Sequence, residues 1–349
     1  MSDDMPHYIT GKDAYRHELT DMEQPRLKIG ILGAGHIAGV HARHAARVPG
    51  VVLSGVTDLQ TEKAEALAQQ YGATVYPDVN SLLASDIDAV VVAVPTNAHI
   101  EMTESVLCAG KSAFCEKPLA LSVADCEALM KTLQLSSESS QRPLILAVGH
   151  VIRFFPEYAQ ARQQVQSGAI GKVAVARTRR AGAYPKAPWF ADESKSGGVL
   201  FDLLIHDLDF LLWTLGPVER VYAKIGRSEG VEYASVVLRH RSGTISQSDG
   251  LWGDPAGFST SFEFAGDAGL ITFDSRTAST VTIATQSKAS LALAPREPDS
   301  DPYYHQFASF ADAVHGLPSQ SVTVTEARDV VAIAEAARQS ALTGKPMLM

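Results

Sequence analysis

The chain has 349 residues, 46% of them apolar and 20% charged, and a formal net charge of −9. That length accommodates two domains with separate cores, and the composition is that of an ordinary globular protein. The acidic balance speaks against a nucleic-acid partner or an anionic membrane surface, both of which call for a basic footprint.

Residues 1–25 are polar and aperiodic and carry no apolar core segment of the signal-peptide kind; they read as an N-terminal arm to which the sequence assigns no role. No run approaches 18 apolar residues, so no membrane span is expected. Three cysteines, Cys108, Cys115 and Cys126, show no C-x-x-C spacing. A disulfide framework or zinc site is therefore not expected, and a reducing, cytoplasmic setting fits.

From residue 26 to about 150, short apolar runs alternate with helical patterns. "LKIGILG" reads as a strand and "HIAGVHARHAARV" as a helix; "VVLSGVTD" and "TEKAEALAQQYG" repeat the pair. "IDAVVVAVP" is an almost unbroken apolar strand, as expected where both faces of a parallel sheet are covered. A helix from about Ala98 to Cys108, the strand "SAFCEKP", a helix from about Ser122 and "LILAVGH" complete the series. This alternation predicts a doubly wound Rossmann domain over 26–150.

The remainder, 151–349, reads as an α+β domain with a large, mostly antiparallel sheet. Two helical segments, about 156–166 and 199–215, precede five strand-like runs: "VERVYAKIGR", "VEYASVVLRH", "GTISQSDGLW", "FSTSFEFAG" and "GLITFD". Residues 179–198 and 286–302 read as loops, and the chain ends in a helix with a Thr325 cap and a Gly344 stop.

"GILGAGHIAGV" places Gly33, Gly35 and Ala38 in a G-x-G-x-x-G/A pattern between a strand and a helix. Gly33 allows the tight turn, Gly35 lets a pyrophosphate approach, and Ala38 lets the helix sit close to the strand. The N–H groups at the helix start, at His36 and Ile37, can hold the phosphates. Asp58 ends the second strand 23 residues after Gly35, where a carboxylate accepts both ribose hydroxyls and repels a 2′-phosphate. Leu59 and Gln60 offer no arginine for that phosphate, which favours NAD over NADP. A nucleotide-free structural turn or a methyltransferase sheet would look similar up to this point.

Residues 197–216, "GGVLFDLLIHDLDFLLWTLG", are apolar nearly all round a helix yet carry Asp202, His206, Asp207 and Asp209. At helical spacing Asp202, His206 and Asp209 stack on one face. Buried charges of this kind either pair with one another or line a polar cavity. Carboxylate and imidazole also suit a metal, but no further ligand cluster accompanies them and none is expected. Lys117 closes a strand of the first domain in "EKP", so it should point into the cleft beyond the strand ends.

Gly33-x-Gly35-x-x-Ala38, "AVPTNAHIE" (93–101), "EKP" (116–118), "GHVIRFFPEY" (149–158) and "SGGVLFDLLIHDLD" (196–209) occur in that order. Together they resemble the glucose–fructose oxidoreductase/inositol dehydrogenase family, Gfo/Idh/MocA, from about residue 27 onward. The resemblance implies that Lys117, Asp202 and His206 gather around the nicotinamide and the reacting carbon, with His206 as general acid/base and Lys117 as the alternate for that role. It also implies that Pro95, Thr96, Asn97, His99 and Glu116 line the cofactor, the alternative for His99 being a helix-start histidine that touches no ligand. Arg153 matches a position near the substrate; its alternative is a salt bridge joining the domains. Tyr184, Lys186 and Trp189 are lid candidates, the alternative being ordinary loop anchoring.

The function expected from the resemblance is NAD-dependent oxidation of a secondary hydroxyl of a sugar, inositol or related polyol. A homodimer or homotetramer would form through the C-terminal sheet. Two other activities occur on such a scaffold: a redox-neutral glycoside hydrolase that uses NAD transiently, and a non-catalytic ligand-sensing regulator. A regulator has no need of the Lys and His, and both positions are filled.

Overall fold

The computed structural model describes residues 26–140, 142–277, 281–285, 288–292 and 301–349; the expected N-terminal arm lies outside them. The first sheet is built around Leu27–Leu32. Val51–Thr57 and Thr74–Val75 lie on one side of it, and Ala89–Val92, Ser112–Cys115 and Leu146–Val148 on the other. These six strands are parallel, and Val322–Thr323 joins the edge antiparallel. Ala89–Val92 and Ser112–Cys115 are buried throughout, which explains their unbroken apolar sequence.

The second sheet has nine strands among the described residues. Their order is Lys288–Ala292, Thr282–Thr285, Gly269–Asp274, Ser259–Gly266, Val173–Gly182, Ile245–Trp252, Val231–His240, Val218–Ser228 and Met347–Leu348. All pairings are antiparallel except Val173–Gly182 with Ile245–Trp252, which is parallel.

The two sheets share a core. One continuous cluster runs from Leu32, Val90, Val92 and Leu146 of the first sheet, through Phe201, Leu204, Leu208 and Phe210, to Val221, Val236, Phe262 and Phe264 of the second. The 199–215 segment is enclosed, as its all-round apolar sequence requires: Leu204, Ile205, Leu208, Phe210 and Leu211 are all fully buried. A second cluster (Ile29, Ile31, Val91, Phe114, Phe307 and Phe310) covers the other face of the first sheet.

Several expectations change. Residues 179–198 are not all loop, because their first four close the strand Val173–Gly182, at the centre of the second sheet. Helix Pro302–Val314 was not anticipated, although Asp301 caps it and Pro302 occupies its first turn. Within the expected 286–302 loop, Lys288–Ala292 is a strand; 286–287 and 293–300 lie outside the described residues.

The last helix, Val324–Thr343, is capped by Thr323 rather than Thr325. Thr323 and Glu326 exchange bonds in a capping box, which satisfies two donors that Thr325 could not reach. The helix expected over 199–215 opens with a π turn, Leu200–Leu204, before the regular helix Ile205–Leu215. A π turn takes more residues per turn than an α turn, so positions on either side of it do not keep regular helical spacing.

Candidate active site

The glycine turn follows Leu27–Leu32. Gly33 has φ +91°, and a Cβ there would stand 2.4 Å from the Ala93 carbonyl oxygen, so only glycine fits. A Cβ at Gly35 would meet nothing within 4 Å. Gly35 therefore opens onto free space at the start of helix His36–Ala45, which has no side-chain cap and no acid in its first turn. The leading N–H groups, His36 and Ile37 included, suit an anion there. Asp58 stands beside the turn: its Oδ2 accepts the Ala34 N–H at 2.6 Å and its Oδ1 the Gln60 N–H at 2.7 Å. Each oxygen keeps a second acceptor site, enough for a ribose diol. These features fit a dinucleotide.

After strand Ala89–Val92, Pro95 and Asn97 are exposed at a 3₁₀ turn, Thr96–Ala98, in which Thr96 is buried. His99 corrects the expectation of a ligand contact. It is buried, with Nδ1 2.7 Å from the Pro118 carbonyl and Nε2 3.0 Å from that of Val94. It fastens the Lys117–Pro118 turn, whose peptide bond is cis, to the end of the neighbouring strand.

Glu116 likewise faces inward. Its Oε1 lies 2.6 Å from His41 Nε2, and its Oε2 accepts the Lys117 N–H at 3.1 Å. Burial alone would raise its pKa, but the His41 hydrogen bond and charge, with Lys117 beside them, bring it below the usual carboxylate value.

Lys117, Asp202 and His206 meet on one cavity of about 690 Å³. Lys117 Nζ donates to the Asp202 carbonyl at 2.6 Å and to its Oδ1 at 2.9 Å, joining the end of the first sheet to the π turn. Nδ1 of His206 is buried without a partner among the described residues, which leaves Nε2 as the nitrogen toward the cavity. Burial, followed by the positive charges of Lys117 and Arg180, holds the His206 pKa well below 6.5. The imidazole is neutral at pH 7 and able to accept a proton.

Asp209 does not share this face. Its carboxylate takes Arg153 Nε at 3.0 Å and Nη2 at 2.6 Å. Arg153 Nη1 reaches Glu326 at 2.5 Å. Arg153 thus pairs with two carboxylates of its own segment, 151–349, rather than bridging to 26–150, and it is not among the residues lining the cavity. Tyr184 packs edge-on against Trp252, and Trp189 stacks on Phe190 at 3.8 Å; neither lines the cavity.

The cavity brings in residues that sequence reasoning missed: Arg180, Tyr303, Tyr158, Phe155, Phe258 and Thr260. Tyr303 was signalled by the Asp301–Pro302 helix start, and Arg180 by the run "RTRR"; nothing local marks Phe258.

The two glycines separate folding from binding. Gly33→Ala should cost about 1–3 kcal/mol through a strained backbone. Gly35→Ala should leave stability within about 0.5 kcal/mol, as unconstrained surface changes do. It should nonetheless weaken dinucleotide binding by at least about tenfold, because its methyl group fills the phosphate approach. Denaturant titration and calorimetry with NAD check both; native-like affinity in Gly35→Ala would contradict the assignment.

The family model for oxidoreductases with an NAD-binding Rossmann fold, GFO_IDH_MocA, matches residues 27–140. The model for the GFO/IDH/MocA C-terminal domain matches residues 158–272. The chain is 30% identical over 269 residues to the myo-inositol 2-dehydrogenase of Thermotoga maritima, a match covering 74% of this chain and 78% of that protein. It is 32% identical over 269 residues to the inositol 2-dehydrogenase of Rhizobium meliloti, covering 74% and 79%. Among solved structures, GenD2 from gentamicin A biosynthesis in complex with NAD aligns with a TM-score of 0.83 at 29% identity, over 93% of this chain and 97% of that one. With a glycine turn and ribose carboxylate that fit NAD, the chain belongs to the Gfo/Idh/MocA family of NAD-binding oxidoreductases.

Proposed function

We propose that the protein oxidises a secondary hydroxyl of an inositol, sugar or related polyol. The observation that carries this reading is the convergence of Lys117, Asp202 and His206 on one cavity. Bound NAD supplies the hydride-accepting nicotinamide. Neutral His206 takes the hydroxyl proton as the carbinol C–H is broken. Lys117, held by Asp202, donates to the same oxygen and stabilises the charge that develops on it. Asp202 orients Lys117 and keeps it from straying. Phe258, 69% exposed at the cavity, offers an apolar face to a sugar ring. The inositol dehydrogenases named above are consistent with this substrate class.

The same reading includes a homo-oligomer formed through the open face of the second sheet, in a reducing cytoplasm. Tyr233 and Ile245 project from that sheet at 49% and 40% exposure, and Tyr233 pairs in register with Leu251. Cys108, Cys115 and Cys126 are all unpaired thiols. Sedimentation velocity should give a dimer or tetramer that Tyr233→Glu weakens; a native monomer would sink this part.

The test of the chemistry is absorbance at 340 nm with NAD and a panel of inositols and sugars. NADH should accumulate over many turnovers. His206→Ala should lose about 10²–10⁴-fold in kcat/KM, the usual worth of a positioned acid/base. In the native enzyme kcat/KM should rise with pH through a limb centred below 6.5, because only neutral His206 accepts the proton and its pKa is depressed. That limb should vanish in the variant; a limb centred at 7 or above would contradict the role.

A further inference from the structure

We infer that Arg180 anchors the substrate, and that the group it takes is an oxyanion, carboxylate or phosphoryl, carried by the sugar. This rests on the polyol-oxidation reading and narrows its substrate class. Arg180 lies near the end of strand Val173–Gly182, opposite Thr260, and lines the same cavity as Lys117 and His206. Only 6% of it is exposed.

Its guanidinium is fixed from behind. Nε donates to Asp207 Oδ2 at 2.6 Å, and Nη2 lies 3.3 Å from the Tyr158 hydroxyl. Asp207 is fully buried, so this pair has no latitude to swing outward. Nη1 has no hydrogen bond among the described residues, yet it is not one of the sealed, unpartnered buried atoms. It is therefore open to the cavity. With the remaining hydrogen on Nη2 it forms a planar fork of donors, held in place before any ligand arrives.

A fork of this kind distinguishes ligands. A neutral hydroxyl uses one donor, whereas a carboxylate or phosphoryl group takes two in parallel and meets the guanidinium charge with its own. A site built around buried donors also rejects analogues that leave them unpaired. The other charges facing the cavity do not duplicate this function. Lys117 is committed to Asp202, and Glu157, 7% exposed, is itself engaged within the protein. Arg180 is the cation in the cavity whose carboxylate partner, Asp207, lies behind it and outside the lining.

The test uses the NADH-loaded protein and matched sugars that differ only at C6: glucose with glucuronate and glucose 6-phosphate, and galactose with galacturonate. Calorimetry gives binding and 340 nm absorbance with NAD gives turnover. At least one anionic sugar should bind tenfold or more tightly than its neutral partner, and the uronate and phosphate arms show which oxyanion the site accepts.

The paired variant Arg180→Gln with Asp207→Asn removes both charges and keeps the shape. It should bring that ratio below threefold. If it does not fold, Arg180→Lys retains a cation opposite Asp207 but loses the fork, and should lower the ratio too. Equal binding of neutral and anionic sugars, or a preference unchanged in the variants, overturns the inference. Tight anion binding without NADH from any substrate would instead preserve this inference and fail the redox reading.

Discussion

Three aspartates on one buried helical segment each neutralise a cation from a different part of the chain, and the site exists because all three pairs close at once. Asp202 holds Lys117 from the end of the first sheet at 2.9 Å. Asp207 holds Arg180 from the centre of the second sheet at 2.6 Å. Asp209 holds Arg153 from the turn that joins them, also at 2.6 Å. An unpaired charge in such surroundings costs several kcal/mol, so the segment tolerates no register in which one pair is lost. The mixture of leucines and acids that makes 197–216 unusual is what welds the two sheets around a cavity.

His206 is the exception on that segment. It sits between the paired charges with no counter-ion of its own, close to Lys117 and Arg180. Burial first, and then those two cations, make its protonated form unfavourable. An imidazole kept neutral next to a lysine kept in place is a suitable arrangement for taking a proton from a hydroxyl whose oxygen the lysine stabilises. Behind Lys117, Glu116 bonds to His41 on the glycine-turn helix, and His99 fastens Pro118. The turn carrying Lys117 is thus fixed to the helix whose N-terminus suits the dinucleotide phosphates.

Much of the first sheet was legible because strands buried on both faces must be apolar, and Ala89–Val92 shows it plainly. The central strand of the second sheet was not, since Arg177, Arg179 and Arg180 disguise it. Those charges are tolerated through Glu263, Asp254 and Asp207, partners 86, 75 and 27 residues away, which no local pattern reveals. In the site, strand-end position aimed Lys117 at the cleft and helical spacing put Asp202 and His206 on one face, while their meeting was what the family resemblance implied. The same spacing misassigned Asp209: it lies in the regular helix Ile205–Leu215 with His206, but its carboxylate is taken by Arg153, 56 residues distant, which no local pattern reveals. His99 and Glu116 have the residue types of ligand contacts; only their tertiary partners, a carbonyl and a buried histidine, show that they brace the turn instead.

The most direct measurement of the central claim is isotopic. Perdeuterated myo-inositol, glucose, glucuronate and glucose 6-phosphate, offered with NAD, would be followed by mass spectrometry of the nucleotide. Net hydride transfer at the Lys117–Asp202–His206 site predicts NADH heavier by one mass unit, formed in equal amount to the ketone and lost in His206→Ala. Nucleotide recovered oxidised and unlabelled with every polyol, while NAD remains bound, would contradict it.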